Sequence, residues 1–253
     1  MKISFVVAVY NEEATIATLL SWIFSIDYKT INDQEILVPE VIVANDGSTD
    51  RTLQKIAEFI ESHSDRAGNL MIIDHKINRG KGAALRAGLA ATSGEIVITQ
   101  DADLEYDPTK NLPKLLSPFF DYRRAEVVYG SRFLAPQSQR AVYYWHMVGN
   151  KFITTLTNIF AGVYLTDIET GYKVFRRPIL EKILPHLRSN TFDIEPELTI
   201  LMAHFKPVIY EVPIDYTSRT YEEGKKIKFT DGLVAVWRIL LTTWRCLFIK
   251  SKV

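Results

Sequence analysis

Ile96-Val97-Ile98-Thr99 is a β-branched run that begins just after Gly94 and ends in a burst of acids, Asp101-Ala102-Asp103-Leu104-Glu105. The run reads as a buried strand. A chain with this pattern must bury the apolar half in a sheet and leave the carboxylates at the strand's carboxyl end, where open α/β sheets bind ligands. Aspartates at i and i+2 of an extended chain point to one side and can share a cation. Glu105 repeats the spacing. Such a cluster is costly to hold unless a hard divalent ion neutralises it, and Mg²⁺ or Mn²⁺ bound this way keeps positions open for substrate phosphates. The plain alternative, a solvated acidic loop, sits poorly with a place directly after a buried strand.

The flanking sequence repeats the rhythm. Strands are expected at 2–9, 41–44, 70–74 and 126–130 around the acidic one. Helices are expected from a cap at Asn11-Glu12-Glu13 to about Phe24, and at about 51–62, 83–91 and 108–122. Residues 27–39 read as a polar surface insertion. Strands alternating with helices predict an α/β, Rossmann-like, mainly parallel sheet flanked by helices. After Arg132 the pattern changes to amphipathic helices. One is expected over 139–163, with Trp145, Val148, Phe152, Leu156, Ile159 and Val163 on one stripe. Helices at 178–187 and 196–204 and a strand at 207–213 precede a final helix over 231–250. On that helix and just beyond it Asp231, Arg238, Arg245 and Lys252 recur every seven residues, leaving a narrow polar stripe on a broad apolar surface.

Lys and Arg number 30, as do Asp and Glu, in a chain of 253 residues, so global charge gives no reason to expect a nucleic-acid partner. From Gly224 onward the balance tips: seven basic residues stand against Asp231 alone, which fits phosphates or an anionic surface nearby. A single cysteine, Cys246, points to a reducing compartment. The first strand begins at the second residue, which leaves no signal peptide to expect. The longest apolar tract, 233–249, is broken by Arg238 and Arg245, so no transmembrane span is expected. The expectation is a cytoplasmic protein, peripheral at the inner face of a membrane.

Several further positions fall near strand ends. Tyr10 and Glu12 follow the first strand, where a Tyr can stack on a base and a Glu can accept from ribose or base; the plain alternative is helix capping. Asp46 follows the second strand, with an ordinary Asp-Gly turn as its alternative. Arg79-Gly80-Lys81-Gly82 opens a helix with cations and glycines, as phosphate sites do, though such turns are common. Arg219 and Lys225 flank a glycine-containing loop over 218–227 that is expected to close on phosphates as a lid, against the alternative of a solvated basic loop. Asp193, Glu195 and Glu197 either include an active-site carboxylate or supply charge to a helix's first turn. No Gly-x-Gly-x-x-Gly follows the first strand, which counts against a dinucleotide dehydrogenase.

Val9-Tyr10-Asn11-Glu12, Asn45-Asp46-Gly47-Ser48-Thr49-Asp50, Asp101-Ala102-Asp103-Leu104, Gly130-Ser131-Arg132, Thr170-Gly171-Tyr172-Lys173-Val174-Phe175 and the Arg219 to Lys225 loop occur in this order over about residues 2–230. Taken together they resemble the family 2 glycosyltransferases with the GT-A fold, and more narrowly dolichyl-phosphate mannose synthases and related polyprenyl-phosphate sugar transferases. The resemblance implies that Ala8, Tyr10, Glu12, Ala44 and Asp46 surround a nucleoside; the Arg79 to Gly82 turn, read by itself, would bring Lys81 to the phosphates. Asp101, Ala102 and Asp103 would line ribose and diphosphate, and Asp103 and Glu105, with Asp101 beside them, would hold Mg²⁺ or Mn²⁺. Arg132, Arg219 and Lys225 would contact the diphosphate or an acceptor phosphate. Position 8 is Ala where the family usually has Pro, and position 105 is Glu where the mannose synthases usually have Gln. The C-terminal membrane spans that the family often carries are not expected here.

The implied partners are a nucleotide-sugar donor and a polyprenyl-phosphate lipid acceptor, met through peripheral membrane contact. The chain reads as one unit, with 1–132 a donor-binding half, 133–230 an acceptor-side half and 231–253 a C-terminal amphipathic helix. A phosphate acceptor is already an anion and needs no strong base, whereas a saccharide hydroxyl would need one, for which Asp193 is the candidate. Two other readings keep the fold: a glycosyltransferase acting on such a hydroxyl, and a non-catalytic nucleotide-sugar binder. For the two amphipathic helices the plain alternatives are covering the sheet or forming a homodimer interface.

Overall fold

β1 (Lys2–Val9) sets the layering, because its side chains alternate between two apolar clusters. Ile3, Phe5, Val7 and Val9 join one, while Val6 packs with Leu85 and Leu89 in the other. β4 (Ile96–Asp101) divides its residues the same way, Ile96 and Ile98 to one side and Val97 to the other. Strands apolar on both faces need cover on both faces, and helices supply it. The computed structural model describes residues 1–31, 37–64, 67–120, 124–134, 143–219 and 229–250.

The first cluster lies under α1 (Ile16–Ser25), α3 (Thr52–Ser62) and α5 (Pro108–Phe120). The second lies under α4 (Lys81–Ala91), α6 (Tyr144–Ala161), α7 (Arg177–Ile183), α8 (Ile194–His204) and α9 (Phe229–Cys246). Between them the described residues form one sheet with β2 (Val38–Asn45), β3 (Leu70–Asp74), β5 (Val127–Ser131), β6 (Lys173–Arg176) and β7 (Ile209–Pro213) in the order β3-β2-β1-β4-β6-β5-β7. β6 runs antiparallel to both of its neighbours, and the remaining pairs are parallel. Every strand but β6 therefore ends at the same edge of the sheet, and β6 starts there.

Three expectations change. β6 is legible in the sequence only as part of a motif, because it is short and carries Lys173 and Arg176 at its ends. The 27–39 stretch holds a short helix, α2 (Tyr28–Ile31), whose Tyr28 is buried and donates to Ile23 O. The 139–163 stripe divides on the shorter α6: Trp145, Phe152 and Ile159 are exposed, Leu156 and Val163 pack partly against the second cluster, and Ile153, Thr154 and Thr157 form the buried face.

Candidate active site

At the edge where the strands end, Ala8 is in register with Ala44 on β2 and with Asp101 on β4. The chain leaving β1 is then bound to the chain leaving β2. Asn11 N donates to Ser48 Oγ (2.9 Å), Glu12 N to Thr52 Oγ1 (2.8 Å) and Glu13 N to Asp50 Oδ2 (3.1 Å). Thr49 N donates back to Asn11 Oδ1 (2.8 Å). Asn11 takes a left-handed φ of 51°, which Asn tolerates better than most residues. The Asn11-Glu12-Glu13 segment thus does not cap α1, which begins only at Ile16. It is one half of a zipper whose other half is the Ser48 to Thr52 turn. Glu12 ends up buried, its carboxylate accepting from Thr15 Oγ1 (2.8 Å), and Tyr10 lies half-buried beside it.

The acidic cluster does not stay extended. β4 stops at Asp101, and Leu104 has a positive φ of 59°, so the period-two rule lapses and the three acids part. Asp101 turns to Lys81 Nζ (2.8 Å). Asp103 Oδ2 accepts from the Arg219 guanidinium (3.0 Å). Glu105 accepts from Arg219 N (2.8 Å) through Oε1 and from the Tyr216 hydroxyl (3.0 Å) through Oε2. Arg219 also reaches Glu12 at 3.4 Å, so one guanidinium serves three carboxylates drawn from two strand ends. Even so, burial and then the nearby Asp101 and Glu105 push the Asp103 carboxyl up to about 7.

Among the described residues no three acidic, His or Cys groups converge on a ready cation site. Of the three expected ligands, Asp101 is drawn toward Lys81 through its Oδ1, away from the other two, which gather around Arg219. Asp103 and Glu105 remain, and they fit a hard divalent cation: two oxygen donors in a cluster that carries uncompensated negative charge. Mg²⁺ and Mn²⁺ are commonly held by one or two carboxylates together with substrate phosphates.

Lys81 is likewise placed otherwise than expected. Its ammonium lies between Asp101 and Glu195 (3.0 Å) and does not point toward open solvent. Burial opposes its charge, but Asp101 and Glu195 hold it well above the ordinary lysine value. The turn before it is anchored by Asp46, whose two oxygens accept from Arg79 N (2.9 Å) and Gly80 N (2.7 Å). Gly80 is required there, since its φ is 97° and a Cβ would strike the carbonyl of Asn190. Asp46 therefore ties the start of α4 to the end of β2, with a contact from His75 Nδ1 at 3.1 Å. Ala44 and Ala102 are both buried, which leaves backbone as what they offer a ligand.

Asp193 is a correction. Burial would raise its pKa, but hydrogen bonds from Thr191 and Arg238 hold it below the ordinary carboxylate range. Its Oδ1 accepts from Thr191 Oγ1 (2.7 Å) and its Oδ2 from Arg238 Nε (2.7 Å), so it pins α9 to the start of α8 and is no general base.

On the other flank Arg132 follows β5 and forms a two-pronged pair with Asp167, Nε to Oδ2 at 2.6 Å and Nη2 to Oδ1 at 2.8 Å. Its guanidinium lies 5.1 Å from the centre of the Tyr216 ring. Tyr106 stands between Tyr172 and Tyr216 with ring centres 5.0 and 5.2 Å away, forming an aromatic floor. Lys173 is fully buried and donates to Ile168 O (2.9 Å), Thr170 O (2.7 Å) and Glu195 (2.5 Å). Sequence reasoning misses Asp167, Lys173, Tyr106 and Tyr216 as site residues. Lys173 alone carries a signal, a charge inside an apolar run. Arg219 is where the sequence places it, and Lys225 lies outside the described residues, as does most of the expected lid.

The family 2 glycosyl transferase model matches residues 4–184, well over half of the chain, so the chain belongs to that family. It is 27% identical over 218 residues to a dolichyl-phosphate beta-glucosyltransferase of Trichomonas vaginalis, covering 84% of this chain and 63% of that one. It is 26% identical over 247 residues to a UDP-N-acetylglucosamine–dolichyl-phosphate N-acetylglucosaminyltransferase of Methanococcus voltae, covering 93% and 94%. The fold is that of glucosyl-3-phosphoglycerate synthase from Mycobacterium tuberculosis in complex with UDP, with a TM-score of 0.64 at 20% identity over 99% of this chain and 82% of that one. The same synthase has been solved with Mn²⁺, UDP and phosphoglyceric acid, at a TM-score of 0.63 and 20% identity over 99% of this chain and 80% of that one. The architecture is the GT-A fold.

Proposed function

We propose that this chain moves a hexose, with inversion, from a GDP- or UDP-linked donor to a polyprenyl or dolichyl phosphate at the cytosolic face of a membrane. The observation that carries the reading is the inverted polarity of α9. Its charged stripe faces inward: Arg238 pairs with Asp193, and Arg245 pairs with Glu197 (3.1 Å) and bonds His186 O. Its apolar side faces out, with Trp237 65% and Phe248 72% exposed in and just beyond the helix. α6 packs against α9 and adds Trp145 at 77% and Ile159 at 70% exposure. An apolar surface this broad, rich in tryptophan, fits the headgroup level of a bilayer. Among the described residues no helix is long and apolar enough to cross one. The names of the relatives favour the same acceptor.

Asp103 and Glu105 would hold Mg²⁺ or Mn²⁺, which supplies positive charge to the departing diphosphate. Arg219, already among the carboxylates, and Arg132 add cationic stabilisation on either side of the β4 end. Lys81 and Glu195 keep Asp101 in place. Glu12, Tyr10, Ala8, Ala44 and Asp46 line the nucleoside end, and Lys225 completes the phosphate contacts. A lipid phosphate attacks without a strong base, which agrees with Asp193 being committed to Arg238. The division into a donor half over 1–132 and an acceptor half after it accords with the same logic.

The test is to incubate purified protein with Mn²⁺ or Mg²⁺, radiolabelled nucleotide sugars and a polyprenyl phosphate. Label enters the lipid phase with one donor; absence of lipid label with every common donor ends the proposal. The membrane face has its own check. Trp145→Glu with Trp237→Glu should lower binding to anionic phospholipid vesicles at least about tenfold, since each buried aromatic contributes apolar area. Unchanged vesicle binding, with a wild-type dimer that the double variant dissociates, would assign the face to a second copy instead.

A further inference from the structure

Among the described residues Glu169 belongs to none of the ion pairs of the site. It lies on the turn from Asp167 to Gly171 that enters β6 at the ligand edge. One end of the turn, Asp167, holds Arg132. At the other, Gly171 lies so close to Asp101 that a Cβ would collide with the carboxylate. Lys173 Nζ binds the two carbonyls flanking Glu169, those of Ile168 and Thr170, so the turn is held firmly. Yet Glu169 Oε1 is shielded from solvent and has no hydrogen-bond partner among the described residues. Native proteins pair nearly all such atoms, and an exception in a ligand site is explained when the ligand brings the partner.

The chemistry narrows that ligand group. Burial and then Glu195 push the Glu169 carboxyl up to about 7, against Lys173 and Arg132, so it can donate as well as accept near neutrality. A group of that kind suits an alcohol, whereas a phosphate is better served by the arginines. Resting on the proposed donor site, we infer that Glu169 is a specificity-determining residue that hydrogen-bonds a hydroxyl of the transferred sugar.

The experiment compares calorimetric binding of UDP and GDP with that of their hexose conjugates, and transfer rates, in wild type, Glu169→Ala and Glu169→Gln with Mn²⁺ present. Glu169→Ala should bind the nucleoside diphosphate within about twofold of wild type and lose about tenfold or more in affinity for the nucleotide sugar. It should also narrow the preference between the best donor and its hydroxyl epimers. Glu169→Gln, which keeps a donor and an acceptor, should recover most of both. Equal losses for diphosphate and conjugate would reduce Glu169 to a prop for the turn. Loss of transfer in Glu169→Gln with donor binding intact would make it a base instead. Either result overturns the inference. A wild type that distinguishes conjugates but labels no lipid phosphate leaves the inference standing and removes only the acceptor.

Discussion

Asp103→Asn yields a folded protein whose transfer rate falls by about 10³-fold or more, the scale of losing a main electrostatic contact to a transition state. Asp103 lies at a strand end, outside the apolar clusters, and its carboxylate is crowded by Asp101 and Glu105. A neutral amide relieves that repulsion and still accepts from Arg219, so stability should hold within about 1 kcal/mol. Glu105→Gln should be milder, about tenfold, because Gln is what the mannose synthases usually carry at this position and its amide oxygen can still ligate a hard cation. Transfer assays beside thermal melts and Mn²⁺ titrations separate the two. Equal and complete loss in both variants, with cation affinity unchanged, would contradict the roles assigned to them.

Removing Arg132 should cost both stability and activity. Its partner Asp167 is completely buried, and Arg132→Met leaves that carboxylate without its counter-charge. Breaking a buried pair on one side costs about 3–5 kcal/mol, which shows as a drop of roughly 10 °C in melting temperature for a chain of this size. Adding Asp167→Asn removes the stranded charge and should recover most of the stability. Transfer should stay low in the double variant, because the cation is still missing from the phosphate side of the site. If transfer returns with stability, Arg132 only props the turn before β6.

Asp103 and Glu105 are legible in the chain, since acids directly after a β-branched run can only sit at a sheet edge. Their pairing without Asp101 is not, because strand periodicity gives side-chain direction only while the strand lasts. β4 ends at Asp101, and beyond it the partners of the three acids are set by Lys81 from α4 and Arg219 from beyond β7. Asp193 misleads for a related reason. Its nearest neighbours in sequence, Glu195 and Glu197, look like a shared acidic site, yet Arg238 lies 45 residues away and reaches Asp193 only when α9 packs on α8.

α9 shows the same division most plainly. Heptad spacing of Asp231, Arg238, Arg245 and Lys252 determined that the helix has a narrow polar stripe, but not which side meets the protein. α8 presents Asp193 and Glu197, both buried, and two arginines neutralise them; that pairing turns the apolar side outward. The sequence alone determined the alternation of strands and helices, the edge at which the acids gather and the residues at most strand ends, because those depend on short-range periodicity and backbone chemistry. Only the tertiary structure decided which charges are paired, which helix face is bare and that Glu169 Oε1 has no partner among the described residues. Those depend on groups brought together from distant segments, and no local pattern records their distances.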